Sequence, residues 1–333
     1  MSSQFAPSRP GTPPEHLKSP VTQSVLRIQN QIVQAARELL LEQGFVELLP
    51  PIIGPVTDPG GRGAKQVDID FYGNRYKLMT SAILYKQASL LAFDKIFYVA
   101  PNVRLEPLET ADTGRHLAEF HQFDVEIAGA SQQDAMRVAQ DIVTAAVARV
   151  VRTMGSELEI LGRDPDAFAP LLNKTGAFEQ ISHTDAMEDL VRLGHEQNHD
   201  AEIDWEGEGI LSHKSDSPFF IIDYPKGSRG FYDREDPERP EVLRNFDLIA
   251  PEGYGELISG SEREYDYARI IARMRETGEN PAKYEWYLKM VRDGIPSSSG
   301  FGIGIERLTR YVAGLDSVWK ATAFPKIPGV VSP

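Results

Sequence analysis

The chain has 333 residues, enough for one large catalytic domain or two small ones with ample core. Its 35 basic and 49 acidic side chains give a formal charge of −14, a poor match to a face that grips a phosphate backbone over many contacts. The absence of cysteine excludes disulfides, thiolate zinc sites and a cysteine nucleophile, and no apolar run is long enough to span a bilayer, so a cytoplasmic protein is expected.

Residues 1–20, with prolines at 7, 10, 13, 14 and 20, read as a flexible N-terminal tail before one catalytic domain over 21–333. From Val21 to Gln43 the apolar residues Val25, Ile28, Ile32, Ala36 and Leu39 recur at helical spacing, and Gly44 is placed to cap the C-terminus. Phe45 to Ile53 reads as a strand ending at Pro50-Pro51. Strand-like runs follow at 68–72, 76–79, 95–100 and 120–128. Ser131 with Asp134 three residues on predicts the start of a second long helix, which Gly155 is expected to end. The stretch 162–218 is polar and irregular, with one helix over 184–196. Strand character returns at 219–223, 245–249 and 256–259, and helices are predicted at 262–277, 281–292 and 305–313. So many strands without regular βαβ alternation predict an α+β domain around a largely antiparallel sheet.

Two arginine-bearing segments carry the chemistry: Val103-Arg104-Leu105-Glu106 running on to Arg115-His116-Leu117-Ala118-Glu119-Phe120, and Gly302-Ile303-Gly304-Ile305-Glu306-Arg307. An arginine fork suits the α-phosphate of ATP, and it stabilises the charge that builds there as a carboxylate attacks. A second arginine and a phenylalanine can sandwich an adenine, and glycines let a strand approach a nucleotide closely. Taken alone, an Arg-x-Glu on a strand is more often a surface ion pair than a ligand, and a lone Gly-x-Gly-x-x-Arg is a common strand-to-helix turn. Their order, and the His-x-x-Glu-Phe ten residues after Glu106, favour the nucleotide.

These segments resemble motifs 2 and 3 of the class II aminoacyl-tRNA synthetases in the aspartyl and asparaginyl branch, and most nearly the archaeal-type asparagine synthetases related to asparaginyl-tRNA synthetase. The helix at 21–43 and the strand into Pro50-Pro51 resemble motif 1, which implies a homodimer; periodicity alone reads equally as a core helix feeding an edge strand. Ser81-Ala82-Ile83-Leu84-Tyr85-Lys86-Gln87 resembles the segment whose serine and lysine line the amino-acid site, and Gly255 to Glu264 matches the aspartyl/asparaginyl pattern. The resemblance implies an antiparallel sheet flanked by helices and a site for ATP and Mg²⁺. In it, Arg104 takes the α-phosphate, Phe120 and Arg307 the adenine, His116 the distal phosphates and Glu256 the metal. Glu106 and Ser259 complete the ATP site, and Ser81, Lys86 and Arg263 bind the amino acid.

The residues support parts of this. A planar fork assisted by an ammonium selects a carboxylate side chain, which points Arg263 and Lys86 at aspartate; taken alone, Arg263 in Ser-Glu-Arg-Glu also fits a helix N-terminus with solvated charges. Gln122 and Asp124 share one strand face, where an acid can receive an α-ammonium. Asp247 joins Glu256 as a magnesium carboxylate. The remaining histidines, His183 among them, show no metal-ligand spacing and read as loop residues.

Departures from the family pattern shape the functional expectation. Ile83 stands where aspartyl enzymes usually carry a glutamine for the ammonium, and Pro296-Ser297-Ser298-Ser299-Gly300 replaces a Pro-His-Gly-Gly run. Only the short tail precedes motif 1, so the anticodon-binding barrel of tRNA-reading relatives is not expected. The reading is an AMP-forming aspartate–ammonia ligase that makes asparagine through a β-aspartyl-adenylate. Its partners are aspartate and ammonia, with tRNA set aside. No cysteine is present to hydrolyse glutamine, so the nitrogen would arrive as ammonia. Two alternatives stay open: a ligase passing an aspartyl-type acyl group to another amine or carrier, and tRNA aminoacylation or a tRNA-like binding protein.

Overall fold

The computed structural model describes residues 9–59 and 64–331. Its strands are β1 Val46–Glu47, β2 Ile53–Gly54, β3 Asp68–Phe71, β4 Asn74–Leu78, β5 Lys95–Val103, β6 Glu119–Ala128, β7 Glu179–Ser182, β8 Phe219–Ile222, β9 Asn245–Ala250, β10 Gly255–Arg263 and β11 Ser298–Gly304. The helices are α1 Pro13–Lys18, α2 Pro20–Glu42, α3 Ile83–Ser89, α4 Gln132–Thr153, α5 Gly155–Leu161, α6 Ala169–Leu172, α7 His183–Arg192, α8 Trp205–His213, α9 Tyr267–Glu276, α10 Glu285–Gly294 and α11 Ile305–Ala313.

Among the described residues the main sheet has eight strands in the order β1-β5-β6-β11-β10-β9-β8-β7, and β2, β4 and β3 form a small second sheet. Pairing is antiparallel throughout the middle of the main sheet and parallel only at its two edges, β1 with β5 and β7 with β8. This is the antiparallel-rich α+β sheet flanked by helices that the sequence led us to expect.

Alternation along the strands divides the sheet into a core face and a site face. Phe97, Phe123 and Phe301 point to the first, where they pack with Ile28 and Ile32 of α2, Ile142 and Val143 of α4, and Leu308 and Val312 of α11. All of these side chains are fully buried. Burying each is worth about 1.5–3 kcal/mol, which makes this face the anchor of the domain. On the opposite face the register lines up Gln122, Asp124 and Glu126 of β6 with Gly304, Gly302 and Gly300 of β11, and these in turn with Ser259 and Ser261 of β10. Glycine is needed at 300, because a Cβ there would strike the Glu126 carboxylate.

Several boundaries differ from expectation for local physical reasons. Residues 13–18, read as tail, form α1, whose Thr12/Glu15 capping box starts it and whose His16 is buried with its ring 5.7 Å from that of Trp319; residues 1–8 lie outside the described residues. The run Phe45 to Ile53 splits into β1 and β2 around Pro50-Pro51, since proline cannot donate to a ladder. Gly155 opens α5 instead of closing α4, and the left-handed cap is Gly162 at φ +66°.

Within 162–218, α6, β7 and α8 were not expected, and β7 is defined by its pairing with β8 and not by a local pattern. Finally, β10 continues through Arg263, and the following helix starts at Tyr267 behind an Asp266 cap. Alternation in β10 therefore puts Ser259, Ser261 and Arg263 on the site face. Glu262 turns to the other side, where it accepts from Arg234, Arg244 and the backbone N–H of Gln132.

Candidate active site

The site face floors a cavity of about 470 Å³. Ser81, Lys86, Arg104, Glu106, His116, Phe120, Gln122, Asp124, Glu256, Ser259, Arg263 and Arg307 all line it, so the structure brings together twelve of the sequence-expected residues. Asp247 is the exception. It is buried beside the cavity with its Oδ2 2.5 Å from Arg229 Nη2, and it does not line the space. The Arg229 guanidinium that pairs with it also donates to Ser259 Oγ at 2.8 Å. The described residues hold no group of three or more acids or histidines placed to bind a metal.

At one end of the cavity arginines predominate. Arg104, just past β5, donates through Nε to Thr80 O at 3.0 Å and stands 5.1 Å from the Phe120 ring centroid. Among the described residues it has no carboxylate partner. Arg307, in the first turn of α11, lies 3.1 Å from Glu256 Oε1 and donates to the Glu256 carbonyl at 3.3 Å. Burial pushes its pKa below the ordinary value; Glu256 opposes this, while Arg115 and Arg104 add to it. Arg115 Nη2 is 2.5 Å from Glu208 Oε2 on α8, and the same carboxylate oxygen accepts from Glu256 N at 3.2 Å. The His116 ring Nδ1 lies 2.7 Å from Thr113 Oγ1. Glu306 accepts from the backbone N–H of His121 at 3.0 Å and tethers α11 to β6, and its Oε1, 3.0 Å from the ring Nδ1 of His121, raises the pKa of that ring.

At the other end the cations are buried and already engaged. Lys86, on α3, donates to Asp124 Oδ1 at 3.0 Å and to Phe301 O at 3.1 Å, and lies 3.8 Å from Glu126 Oε2. Arg263 donates through Nε to Glu126 Oε1 at 3.1 Å, through Nη2 to Glu126 Oε2 at 3.2 Å, and through Nη1 to Asp233 at 3.3 Å and Ser261 Oγ at 2.7 Å. Ser261 Oγ in turn donates a short hydrogen bond to Asp233. Burial disfavours the guanidinium, yet the Glu126 and Asp233 carboxylates outweigh it and hold the Arg263 pKa above its ordinary value. Arg263 is thus 5% exposed inside the site, not a solvated helix end.

Several of these partners were not assigned from sequence. Glu126 continues the alternation that placed Gln122 and Asp124, so extending that face by two residues finds it. Arg229 and Asp233 lie in an irregular segment with no periodicity, and Glu208 lies in the stretch that had no assigned helix.

The model of the tRNA synthetases class II (D, K and N) matches residues 15–328 of this chain. The chain belongs to this family. It is similar to the asparagine–tRNA ligase of Thermococcus gammatolerans, 36% identical over 318 residues that cover 96% of this chain and 72% of that one. It is also similar to the asparagine–tRNA ligase of Thermus thermophilus, 34% identical over 310 residues, 91% and 69% of the two chains. Among solved structures it superimposes on asparaginyl-tRNA synthetase from Pyrococcus horikoshii complexed with asparaginyl-adenylate, with a TM-score of 0.90 and 33% identity over 96% of this chain and 72% of that chain.

This class II synthetase is therefore an ATP-dependent, AMP-forming ligase. The expectation of an asparagine synthetase, with aspartate and ammonia as partners and tRNA set aside, is overturned: relatives matching nearly the whole chain are named for asparagine and tRNA. The physical source of the error is that sequence displayed the two cations Lys86 and Arg263 without the carboxylates that face them. Net acidity also carried too much weight against a nucleic-acid partner. Among the described residues no helix is long and apolar enough to cross a membrane.

Proposed function

We propose that this chain activates asparagine with ATP, releasing pyrophosphate and forming asparaginyl-adenylate, and passes the acyl group to the 3′ end of a tRNA. The observation that carries the choice of amino acid is the engaged state of Arg263. A guanidinium has five N–H bonds. Four of them already meet Glu126, Asp233 and Ser261, which leaves one for a ligand. One donor matches the single carbonyl oxygen of a side-chain amide, and the amide NH₂ finds carboxylate acceptors beside it. An aspartate side chain would instead add a fourth carboxylate to a cluster in which Lys86 and Arg263 face Asp124, Glu126 and Asp233. The relatives' names support both asparagine and tRNA.

In this reading Asp124 receives the α-ammonium on its Oδ2, which is buried and has no hydrogen-bond partner among the described residues, with Gln122 alongside. Lys86 holds Asp124 in place, and Ser81 lines the same wall. The α-carboxylate attacks the α-phosphorus, forming the acyl–phosphate bond as the bond to pyrophosphate breaks. Arg104 meets the charge that grows on the α-phosphate. Phe120 and Arg307 hold the adenine, with His116 toward the distal phosphates and Glu106 and Ser259 lining the ATP site. For Mg²⁺ the donor chemistry fits at Glu256, a cavity-lining carboxylate, and does not fit at Asp247, which Arg229 holds. When bound, the ion would neutralise phosphate charge. Motif 1 supports a homodimer here, with Leu49 and Ile52 exposed at 94% and 57% beside β1 and β2; a monomeric mass in solution would refute it.

The test is ATP–pyrophosphate exchange with asparagine and aspartate side by side, followed by charging of total tRNA with labelled asparagine. Exchange favouring asparagine by roughly a hundredfold, with stable charging, is expected. Preference for aspartate would refute the amide pocket, and exchange without charging would refute the tRNA step.

A further inference from the structure

We propose that Ser298 is a positioning residue that sets the preference for an amide over a carboxylate, acting through Glu126 on Arg263; this rests on the reading of the cavity as an asparagine pocket. Ser298 is the first residue of β11 and pairs directly with Arg263 on β10. It is 2% exposed, and its Oγ donates to Glu126 Oε1 at 2.8 Å. Glu126 has no accessible surface, and its remaining neighbours are the Nε and Nη2 groups of Arg263 and, 3.8 Å away, Lys86 Nζ.

Among the described residues the hydroxyl is thus the one neutral donor on this carboxylate, and it comes from β11. Oε1 is held between Ser298 and Arg263 Nε, which fixes the carboxylate plane so that both oxygens face the guanidinium edge. A buried carboxylate that loses a donor turns toward the next available one. Here that is Lys86, which is near enough to be reached by rotation about the terminal torsion of Glu126. Such a turn would free the Nε and Nη2 edge of Arg263, and that edge is the two-donor fork a carboxylate substrate needs. The serine hydroxyl therefore keeps the fork occupied and leaves the pocket a single N–H.

Two independent observations meet at this residue. Ser298 lies in the 296–300 run where the sequence departs from the family pattern, and the same residue makes the contact with Glu126. Its neighbour Ser299 differs: its Oγ donates to the Ser261 backbone carbonyl at 3.1 Å and touches no carboxylate. Ser299→Ala is therefore a control for loss of a buried hydroxyl in the same strand.

The experiment compares kcat and KM for asparagine, aspartate and ATP in pyrophosphate exchange for wild type, S298A, S298T and S299A. In S298A the ratio of kcat/KM for asparagine over aspartate should fall roughly tenfold, the size of one lost hydrogen bond to a charged group. The KM for asparagine should rise while the KM for ATP stays constant. S298T, which keeps the hydroxyl, should restore the ratio, and S299A should leave it at the wild-type value. Should S298A not fold, Ser298→Cys keeps the volume with a weak donor and carries the same expectation. A wild type that prefers aspartate would refute the pocket reading and this inference with it. A wild type that prefers asparagine, with the preference undiminished in S298A or S298C, would refute the inference alone.

Discussion

Among the described residues, at the nucleotide end of the cavity Arg115 and Arg307 each have one carboxylate partner and Arg104 has none, whereas at the amino-acid end two cations, Lys86 and Arg263, face three carboxylates. The first end holds a guanidinium, that of Arg104, with no carboxylate partner among the described residues, which suits a polyphosphate. The second carries surplus negative charge and suits an ammonium and a neutral amide. Local charge balance, not the net charge of the chain, distinguishes what each end can hold. Residues of one type thus differ in state, Arg104 without a carboxylate partner among the described residues and Arg263 already engaged.

Breaking the nucleotide end should have the largest effect on catalysis. Arg104→Ala removes a donor from the α-phosphate and should lower kcat for pyrophosphate exchange by roughly a thousandfold. Because Arg104 has no ion pair among the described residues, its thermal midpoint should stay near wild type, which differential scanning calorimetry would check.

The same change at the other end should act on stability. Arg263→Met leaves Glu126 buried without its partner and should cost about 3–5 kcal/mol, read from urea midpoints. Adding Glu126→Leu should recover part of that loss, since of the two carboxylates that Arg263 pairs with only Asp233 then remains without it. A double variant as unstable as the single one would show that packing, not charge, holds this end together.

A smaller effect is expected where the nucleotide end meets the α8 segment. Glu208→Gln loosens Arg115 and the Glu256 backbone together. The KM for ATP should rise by roughly tenfold, one charged hydrogen bond, with the KM for asparagine unchanged.

The smallest effect concerns His183, the first residue of α7. It is 3% exposed, its Nε2 lies 2.9 Å from the Ala201 carbonyl, and its ring is 4.9 Å from Tyr224, which lies beneath Arg229. Burial lowers its pKa to about 4, with the Ala201 hydrogen bond opposing and the Arg229 charge adding to the shift. A histidine whose folded pKa is depressed favours folding above the ordinary value of 6.5, and that contribution is lost as pH falls toward about 4. His183→Gln should flatten the fall in urea midpoint across this window.

Much of the nucleotide end was legible in sequence because its residues sit in short contiguous segments with fixed spacing, Arg104 to Phe120 and Gly302 to Arg307. Gln122 and Asp124 were legible through strand alternation. What sequence hid was pairing across distance. Glu126 and Arg263 are 137 residues apart and meet only because β6, β11 and β10 are neighbours in that order. Arg263 itself was placed on a helix, since Glu262 to Glu264 are charged and a strand this polar is stable only when both faces find partners. Asp233 and Arg229 come from an irregular segment that no periodicity describes, so the Arg229 pair with Asp247 was hidden as well.

The central claim is that Arg263 is already engaged and so accepts an amide. Isothermal titration of the wild-type protein with the sulfamoyl analogues of asparaginyl- and aspartyl-adenylate tests it most directly. The asparaginyl analogue should bind more tightly by about 2 kcal/mol, roughly thirtyfold in Kd. Equal affinities, or tighter binding of the aspartyl analogue, would contradict the account.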